Sequence, residues 1–246
     1  MGILRILKLS ELEFSENQLI NYKIKAVNEI YEGSNRVFLC ELESKKQTFL
    51  SIYKPLRGER PLVDFFTGNL FSREKAAYEI SKFFGWPSLP PLIIREGPYG
   101  LGSFQLFIKH NPKENYFTLY ESHKEDLKKV IIFDFIILNT DRKAGSIILD
   151  DSNEIWAIDQ ALTFNPYTRF RTVMFEFNNS EISVKQIKQI KKLVYEIENK
   201  EKIYLILSEL ISEEEINSLI SRCKELIHHK KLPILDPNAN VPYPLI

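Results

Sequence analysis

Three side chains of this 246-residue sequence have the types and the order that phosphoryl-transfer chemistry requires. Lys54 ends a strand-like apolar run, Asp141 follows a long apolar run, and Asp159 follows a second, shorter one. A charge placed against buried structure costs free energy unless another group compensates it. A lysine can bind phosphate oxygens, one carboxylate can deprotonate a hydroxyl group, and another can bind Mg²⁺. The pattern therefore indicates a site.

Lys54 has an ordinary structural interpretation as well as a functional one. Its stem could simply lie on the core at the end of the strand in SIYKP, where Pro55 ends the pairing. The functional interpretation is a lysine that binds the α and β phosphates of ATP and is held by a carboxylate from a helix. Glu74, in the next helical segment, is the first candidate for that carboxylate, and Glu79 is the second.

Asp141 lies in the pentapeptide NTDRK, beside the cations Arg142 and Lys143. These cations would favour the ionised carboxylate, which suits a group that deprotonates a hydroxyl nucleophile. The alternative is a helix C-terminus at which the two cations only complement the helix dipole. Asp159, in IWAIDQ, likewise has two interpretations, a magnesium ligand or an aspartate that caps a turn.

A possible phosphate loop precedes these residues in YEGSNRVFLC, which leads into a strand. Backbone N–H groups in such a loop can approach phosphate oxygens, and Gly33, Ser34 and Asn35 are the candidates. One glycine is also compatible with an ordinary turn. A lysine, a helix glutamate, an aspartate, a hairpin and a second aspartate nonetheless follow one another in the order found in ATP-dependent phosphoryl transfer.

The elements that must position these groups form a β-rich first half of the chain. Strand-like runs separated by turn residues predict two hairpins. The runs are residues 37–44, 48–55, 91–96 and 103–108. One helix is predicted between the hairpins, with Ser72 as its N-cap and with Gly85 and Pro87 after its end.

The second half of the chain is predicted to be mostly helical. A buried helix over residues 125–139 is followed by a short hairpin around residues 151–153. Ser183 and Ser212 each open a helix with a capping box, because a Gln or Glu follows three residues later. The tail LPILDPNANVPYPLI contains four prolines and is predicted to be an extended strap.

Composition limits the functions that the chain can have. The counts of Lys plus Arg and of Asp plus Glu are both 33, and this balance argues against a general nucleic-acid binder. No apolar run reaches ~18 residues and the N-terminal stretch is too polar for a signal peptide, so we expect no membrane span and a cytoplasmic location. Cys40 and Cys223 each lie in an apolar pattern, which predicts reduced thiols in the core.

Several long stretches resemble a known family. They are YKPLRGERPLVDFFTGNLFSREKAAYEIS, GLGSFQLFIKHNPKENYFTL, NTDRKAGSIIL and IDQALTF. They resemble a family of short bacterial proteins in the phosphatidylinositol 3-/4-kinase-like group of atypical kinases, from about Gly33 to Glu176. The resemblance implies an α+β, bilobal, protein-kinase-like fold, with a β-rich N-lobe over residues 1–109 and a helical C-lobe over residues 110–246. It also implies ATP and Mg²⁺ as cofactors.

The resemblance implies a role for each candidate residue. The implied nucleotide-binding residues are Gly33, Ser34, Asn35, Lys54, Glu74, Gln105, Leu106, Phe107 and Ile108. The implied hinge is residues 105–110, whose backbone at Leu106 to Ile108 would meet adenine. The implied catalytic loop is Asp141, Arg142 and Lys143, with Asp141 as the catalytic aspartate. Asp159 is the implied metal ligand, together with Ser146. The group usually has Asn at the position of Ser146, and a hydroxyl is a weaker, neutral magnesium ligand.

The predicted function is an ATP- and Mg²⁺-dependent phosphotransferase acting on a hydroxyl group of a protein or a small molecule. Arg169 and Arg171 could bind an anionic acceptor, or they could pair with local acids such as Glu176. No polybasic or amphipathic membrane element stands out, so a lipid acceptor is less favoured. Ser146 and the single-glycine loop keep open a degenerate kinase that serves as a nucleotide sensor or scaffold. Transfer of AMP is a further alternative.

Overall fold

The first part of the chain forms a five-stranded antiparallel sheet with the strand order β1-β2-β3-β5-β4. The computed structural model describes residues 15–30, 35–45, 47–60, 62, 65 and 70–246. The strands are β1 (Lys23–Ile30), β2 (Val37–Glu43), β3 (Thr48–Pro55), β4 (Leu92–Gly97) and β5 (Gly100–Leu106). Both predicted hairpins, β2–β3 and β4–β5, are confirmed.

Helices dominate the rest of the chain. The helices are α1 (residues 15–21), α2 (Leu70–Phe84), α3 (Tyr116–Leu119), α4 (Lys124–Ile137), α5 (Val184–Glu198), α6 (Lys202–Ser208) and α7 (Glu213–His229). The predicted short hairpin after α4 is β6 (Ile147–Leu149) paired with β7 (Ile155–Ala157). We call the five-stranded sheet with α1 and α2 the sheet lobe, and the part from α3 onward the helical lobe. The fold is therefore α+β, as predicted, whereas the boundary after residue 109 stays a prediction.

Two hydrophobic clusters hold the fold together. The smaller one lies between one face of the sheet and α1, and it includes Leu19, Phe38 and Tyr53. The larger one contains the apolar faces of the helical lobe and also those of α2, including Ala77 and Ile80. The helix α2 therefore shares its core with the helical lobe as well as with the sheet.

The ends of several elements differ from the prediction. Ser72 is not an N-cap, because α2 already begins at Leu70. The buried helix α4 ends at Ile137, and Leu138 then adopts a left-handed conformation with φ 51°, so Asn139 lies outside the helix. Such a residue turns the chain sharply after a helix C-terminus. The strand β1 and the helices α1, α3 and α6 were not predicted.

Other predictions about the second half of the chain are confirmed. Ser183 and Ser212 both form complete capping boxes at the starts of α5 and α7. Residues 232–246 contain no helix or strand and run as a strap over the helical lobe. Cys40 and Cys223 are free and buried. None of the described helices is long and apolar enough to cross a membrane.

Candidate active site

Lys54 lies at the centre of an ion-pair network that joins the two lobes. Pairing of β3 with β5 places Lys54 opposite Ser103, on the sheet face that also meets α2. Its Nζ lies 2.6 Å from Oε1 of Glu74 and 2.9 Å from Oδ1 of Asp159. Burial by itself would lower the pKa of Lys54, but the two carboxylates outweigh that effect and raise the pKa above its ordinary value. The lysine is therefore held charged.

Glu74 is the carboxylate of α2 that reaches Lys54. Its side chain is only 1% exposed, and Oε2 accepts a hydrogen bond of 3.3 Å from the Ser103 hydroxyl. A carboxylate this deep requires compensation, and Lys54 and Ser103 provide it. Glu79, the second candidate, instead pairs with Lys75 one turn earlier on the same helix, at 2.6 Å.

Asp159 approaches Lys54 from the helical lobe, just after β7. Its backbone has φ 60°, a left-handed conformation that is uncommon for a residue other than glycine and marks local strain. The side chain is 60% exposed, and the cation of Lys54 lowers its pKa. No described group donates a hydrogen bond to Oδ2 of Asp159. The ionised carboxylate thus has one oxygen on Lys54 and one that faces solvent.

Asp141 is held by its neighbours in a partly buried position. The side-chain oxygen of Asn139 accepts a 3.0 Å hydrogen bond from the Asp141 amide, and the expected contact with Lys143 is present at 3.1 Å. Burial raises the pKa of Asp141, and nearby Asp159 adds to the rise, while Lys143 and Arg171 oppose it. Lys143 therefore lowers the pKa of Asp141, as expected of a neighbouring cation, but desolvation is the larger effect and the net shift is upward.

Arg142 does not stand beside Asp141 as a cation, and that expectation is wrong. Its side chain is fully buried, and Nε and one terminal nitrogen donate to the two oxygens of Asp134 at 2.7 and 2.9 Å. The other terminal nitrogen donates to the carbonyls of Ser146, at 3.0 Å, and Ile158, at 2.8 Å. Because Ile158 directly precedes the second aspartate, Arg142 ties together the loops that carry the two acids.

Two residues that fix these loops, Asp134 and Asn139, were not predicted from the sequence. Asp134 lies inside the apolar helix α4 and receives Arg142, and the side-chain amide of Asn139 donates a further 3.1 Å hydrogen bond to it. The signal was present in the sequence, since one acid interrupts the apolar run VIIFDFIIL. A fully buried acid is rare unless it is paired, so this residue alone predicts a buried cation nearby.

The hinge residues follow the end of β5. Gln105 is buried and lies on β5, whereas Phe107 and Ile108 come after the strand. The amides of Leu106 and Phe107 donate to carbonyls of the sheet lobe at 2.8 and 3.1 Å. The carbonyl of Ile108 lies 2.8 Å from Nδ1 of His110. Most polar groups of this segment are therefore already occupied within the chain.

The remaining candidates either make no hydrogen bond with the Lys54 ammonium or lie outside the described residues. Gly33 and Ser34 belong to the part of the chain that the structure does not describe. Asn35 uses its side-chain oxygen to accept a 2.9 Å hydrogen bond from the Arg60 amide, which ties it to the segment that follows β3. Ser146 is buried, and its carbonyl also accepts from the amide of Ile158 at 3.0 Å. Ser146 thus borders the loop of the second aspartate.

The two arginines considered for an anionic acceptor differ in exposure. Arg169 is exposed, whereas Arg171 is half-buried, and the amide of Arg171 donates to the carbonyl of Asn139 at 3.2 Å. Glu176, suggested as their partner, accepts a 2.6 Å hydrogen bond from the hydroxyl of Tyr116. Arg171 therefore lies on the loop that pairs with residues 139–142, next to Asp141.

Comparison with known proteins shows the family to which the chain belongs. A family model described as phosphatidylinositol 3- and 4-kinase matches residues 96–228, which is more than half of the chain. The chain belongs to the phosphatidylinositol 3- and 4-kinase family. The predicted resemblance is thus confirmed. The family match includes Asp141, Ser146 and Asp159, whereas Lys54 and Glu74 precede it.

Solved kinase structures resemble most of this chain. The Golgi casein kinase superposes with a TM-score of 0.57 at 12% identity, covering 89% of this chain and 75% of that one. The same kinase with Mn and ADP bound gives 0.55 at 11% identity and the same coverage. The Helicobacter pylori proinflammatory kinase CtkA gives 0.51 at 12% identity, covering 86% of this chain and 93% of that one. These likenesses show a kinase-like fold.

One relative matches over nearly its full length. Protein Rv2133c of Mycobacterium tuberculosis (strain ATCC 25618 / H37Rv) is 27% identical over 261 residues, which cover 92% of each chain. The sequence similarity therefore extends over both lobes of this chain, including the part of the sheet lobe that the family model does not reach.

Proposed function

We propose that this chain transfers a phosphoryl group from ATP to a hydroxyl acceptor, with Mg²⁺ as the metal. The observation that carries the proposal is the position of Lys54 between Glu74 and Asp159. These two partners lie 20 and 105 positions further along the chain, in different lobes. Kinase catalysis requires a Lys–Glu pair and a metal-binding aspartate together. The contacts of Lys54 with Glu74 and Asp159 support the assignment of these roles.

The residues present fit a magnesium ion. Asp159 is ionised, exposed and has one oxygen that faces solvent, and carboxylate oxygens are ligands that Mg²⁺ prefers. Within the described ranges no three His, Cys, Asp or Glu side chains form a metal cluster, which suits an ion that takes one or two carboxylates plus water and phosphate oxygens. When bound, the ion supplies charge that neutralises the phosphates. Ser146 is the second proposed ligand.

The other residues bind the nucleotide and orient the acceptor. Lys54 would donate to phosphate oxygens while Glu74 keeps its ammonium group aimed. In the hinge, the amide of Ile108 makes no hydrogen bond to the described residues, so it is the donor proposed to meet the adenine base. Asp141 accepts the proton of the acceptor hydroxyl. Its raised pKa makes it a stronger base, and Lys143 beside it offers compensating charge.

The proposed acceptor is a hydroxyl group on a protein or a small molecule. The family is named for a lipid, phosphatidylinositol, and a lipid is therefore the alternative acceptor. Exposed Arg169 would suit an anionic group on any of these acceptors. A panel containing casein, free inositol and phosphatidylinositol vesicles, each with ATP labelled at the γ-phosphate, distinguishes the three acceptor classes by the labelled product.

Asp141→Asn tests the proposal directly. Losing a positioned base costs about 10²–10⁴-fold in rate, which is about 3–5 kcal/mol of barrier. We expect this loss in phosphate transfer, measured with labelled ATP, and an ATP affinity that stays within about twofold of the native protein. Asp151→Asn is the matched control, because Asp151 forms an exposed ion pair with Lys109. Normal transfer by Asp141→Asn would rule out the assignment.

A nucleotide-binding protein without transfer activity is the second candidate. It is favoured by Ser146, a hydroxyl at the position where the family usually has an amide. It predicts that ATP raises the melting temperature in a concentration-dependent way while no product forms. Mass spectrometry of the protein after incubation with MgATP separates the candidates, because phosphate and AMP adducts differ in mass and a pure sensor shows neither.

A further inference from the structure

The helix that carries Glu74 is held on another side by a buried ion pair. Arg73, the residue before Glu74, places a terminal nitrogen 2.6 Å from Oε1 of Glu215 in the first turn of α7. Both side chains are only 10% exposed. Another terminal nitrogen of Arg73 lies 3.5 Å from the carbonyl of Thr163, shortly after Asp159 in the chain. Arg73 therefore contacts two elements of the helical lobe.

Both partners of this pair are fixed by further contacts. The second oxygen of Glu215 accepts hydrogen bonds from the amide and the hydroxyl of Ser212, at 2.9 and 3.1 Å, as part of the capping box of α7. The guanidinium of Arg73 lies 5.0 Å from the ring centre of Phe65. Burial lowers the pKa of Arg73 while Glu215 opposes this effect. The pair is thus a specific, desolvated contact between α2 and α7.

The geometry of a helix couples this pair to Lys54. Neighbouring residues of an α-helix point about 100° apart, so Arg73 and Glu74 face different partners. Arg73 faces the helical lobe, and Glu74 faces Lys54. A rotation or a shift of α2 that broke one contact would therefore also displace the other. The apolar residues of α2 that pack in the core of the helical lobe also hold α2 against that lobe.

We propose that Arg73 and Glu215 are positioning residues, which hold α2 against the helical lobe so that Glu74 meets Lys54 and the chain binds ATP phosphates tightly. This inference rests on the proposed function, because it takes Lys54 as the phosphate-binding lysine. Neither residue of the pair contacts the nucleotide in this proposal. A purely stabilising pair would instead affect unfolding and leave the nucleotide affinity unchanged.

Charge-neutral variants and a charge exchange test the proposal. In Arg73→Gln and in Glu215→Gln we expect the dissociation constant and the KM for MgATP to rise at least tenfold, while kcat changes less than threefold. The exchange variant Arg73→Glu/Glu215→Arg restores the ion pair and should recover most of the affinity. Binding is measured by titration with a fluorescent ATP analogue, at a temperature where circular dichroism shows each variant to be folded.

Lys82→Gln is the matched control on the same helix. Lys82 pairs with Glu16 at 2.9 Å and is similarly shielded, but it joins α2 to α1 instead of the helical lobe. We expect this variant to lower the melting temperature without changing the affinity for MgATP. If Arg73→Gln behaved in the same way, with unchanged nucleotide affinity, the positioning role would be overturned.

Hydrogen exchange separates this inference from the proposed function. If the native protein binds MgATP but transfers no phosphate, the proposed transfer function is wrong. The MgATP affinities of the variants would still test the positioning role of Arg73 and Glu215. If the native protein bound no nucleotide, exchange of the α2 amides would still report the coupling. We expect at least tenfold faster exchange around Glu74 in Arg73→Gln and native exchange there in Lys82→Gln. Unchanged exchange around Glu74 in Arg73→Gln would overturn the inference.

Discussion

Two ion-pair networks of this kinase-like fold differ in how much of each is buried. We call a network closed where solvent reaches none of its side chains, and open where solvent reaches at least one of them. The Asp134–Arg142 pair has no solvent exposure at either side chain. The guanidinium donates four hydrogen bonds, two to Asp134 and two to loop carbonyls. Asn139 adds another donor to the carboxylate. Such a pair is out of reach of a ligand that arrives from solvent, and its hydrogen bonds tie together the two loops that carry Asp141 and Asp159.

The network of Lys54, Glu74 and Asp159 is closed on one side only. Glu74 is buried as deeply as the structural pair, but Asp159 is 60% exposed. Lys54 therefore joins a fixed carboxylate to one that solvent can reach. The buried Glu74 fixes the position of Lys54, while the exposed Asp159 leaves room for a ligand. In the proposed function the ligand is the phosphate and metal of MgATP. Both networks contain charges, but only the network of Lys54 includes a carboxylate that solvent can reach. This exposed carboxylate distinguishes the candidate site.

Arg142→Met is the strongest test of the closed network. Removing one partner of a buried pair leaves the other charge uncompensated and typically costs about 3–5 kcal/mol. We expect the melting temperature to fall by about 10 °C or more in a chain of this size. Differential scanning calorimetry measures this change.

A double variant provides the control for the closed network. Asp134→Leu/Arg142→Met removes both charges, and replacing a buried pair with apolar residues is often close to neutral. We therefore expect it to recover most of the lost stability. A single Arg142→Met variant that unfolds within about 1 kcal/mol of the native protein would show that Asp134 is not dependent on its partner.

Lys54→Met should have a smaller effect on stability and a larger one on binding. It leaves Glu74 with Ser103 as its remaining hydrogen-bond partner, and an unsatisfied buried acceptor costs about 1–3 kcal/mol. The loss is smaller than at Arg142 because solvent takes over the exposed Asp159. We expect the affinity for MgATP, measured by calorimetric titration, to fall at least tenfold.

Lys109→Met is the comparison for this variant. Lys109 forms an exposed ion pair with Asp151, and such pairs contribute about 0–1 kcal/mol. Its nucleotide affinity should match that of the native protein. Equal effects of Lys54→Met and Lys109→Met on affinity would place the phosphates away from the open network.

The sequence predicted the open network better than the closed one, for a physical reason. Lys54, Asp141 and Asp159 each follow an apolar run, and a charge at such a boundary is visible in the sequence. Asp134 lies within a run, and its partner is reached only because the chain turns back at Leu138. The sequence NTDRK alone does not indicate that the Arg142 side chain points back towards α4.

The fold shows the same limit of sequence reasoning. The hairpins were predicted because turn residues separate strongly apolar strands. The edge strand β1 was not, since it pairs on one side only and its burial does not alternate regularly. The ion pair of Arg73 and Glu215 joins residues 142 positions apart, and local patterns carry no information at that separation.

The smallest predicted effect is on folding stability, to which the ionised forms of Asp141 and Asp159 contribute with opposite signs. Burial raises the pKa of Asp141, so the folded chain binds this proton more readily than the unfolded chain does. Ionised Asp141 therefore lowers stability at neutral pH, and this cost disappears as the pH falls below the unfolded value of 3.8. Lys54 lowers the pKa of Asp159, so ionised Asp159 adds stability, which is lost as the pH falls through its folded pKa.

Replacement of each aspartate by asparagine should therefore move the melting temperature in opposite directions at pH 7. We expect Asp141→Asn to raise it by up to about 2–4 °C, the equivalent of about 1 kcal/mol in a chain of this length. Asp159→Asn should lower it by a smaller amount, because solvent screens its exposed charge. In thermal melts the Asp141 difference should shrink as the pH falls from 7 towards 4, whereas the Asp159 difference should persist at pH 4 and shrink only below the unfolded value of 3.8. A destabilised Asp141→Asn at pH 7 would show that Lys143 outweighs desolvation, and Asp141 would then be held as firmly in its ionised form as Asp159.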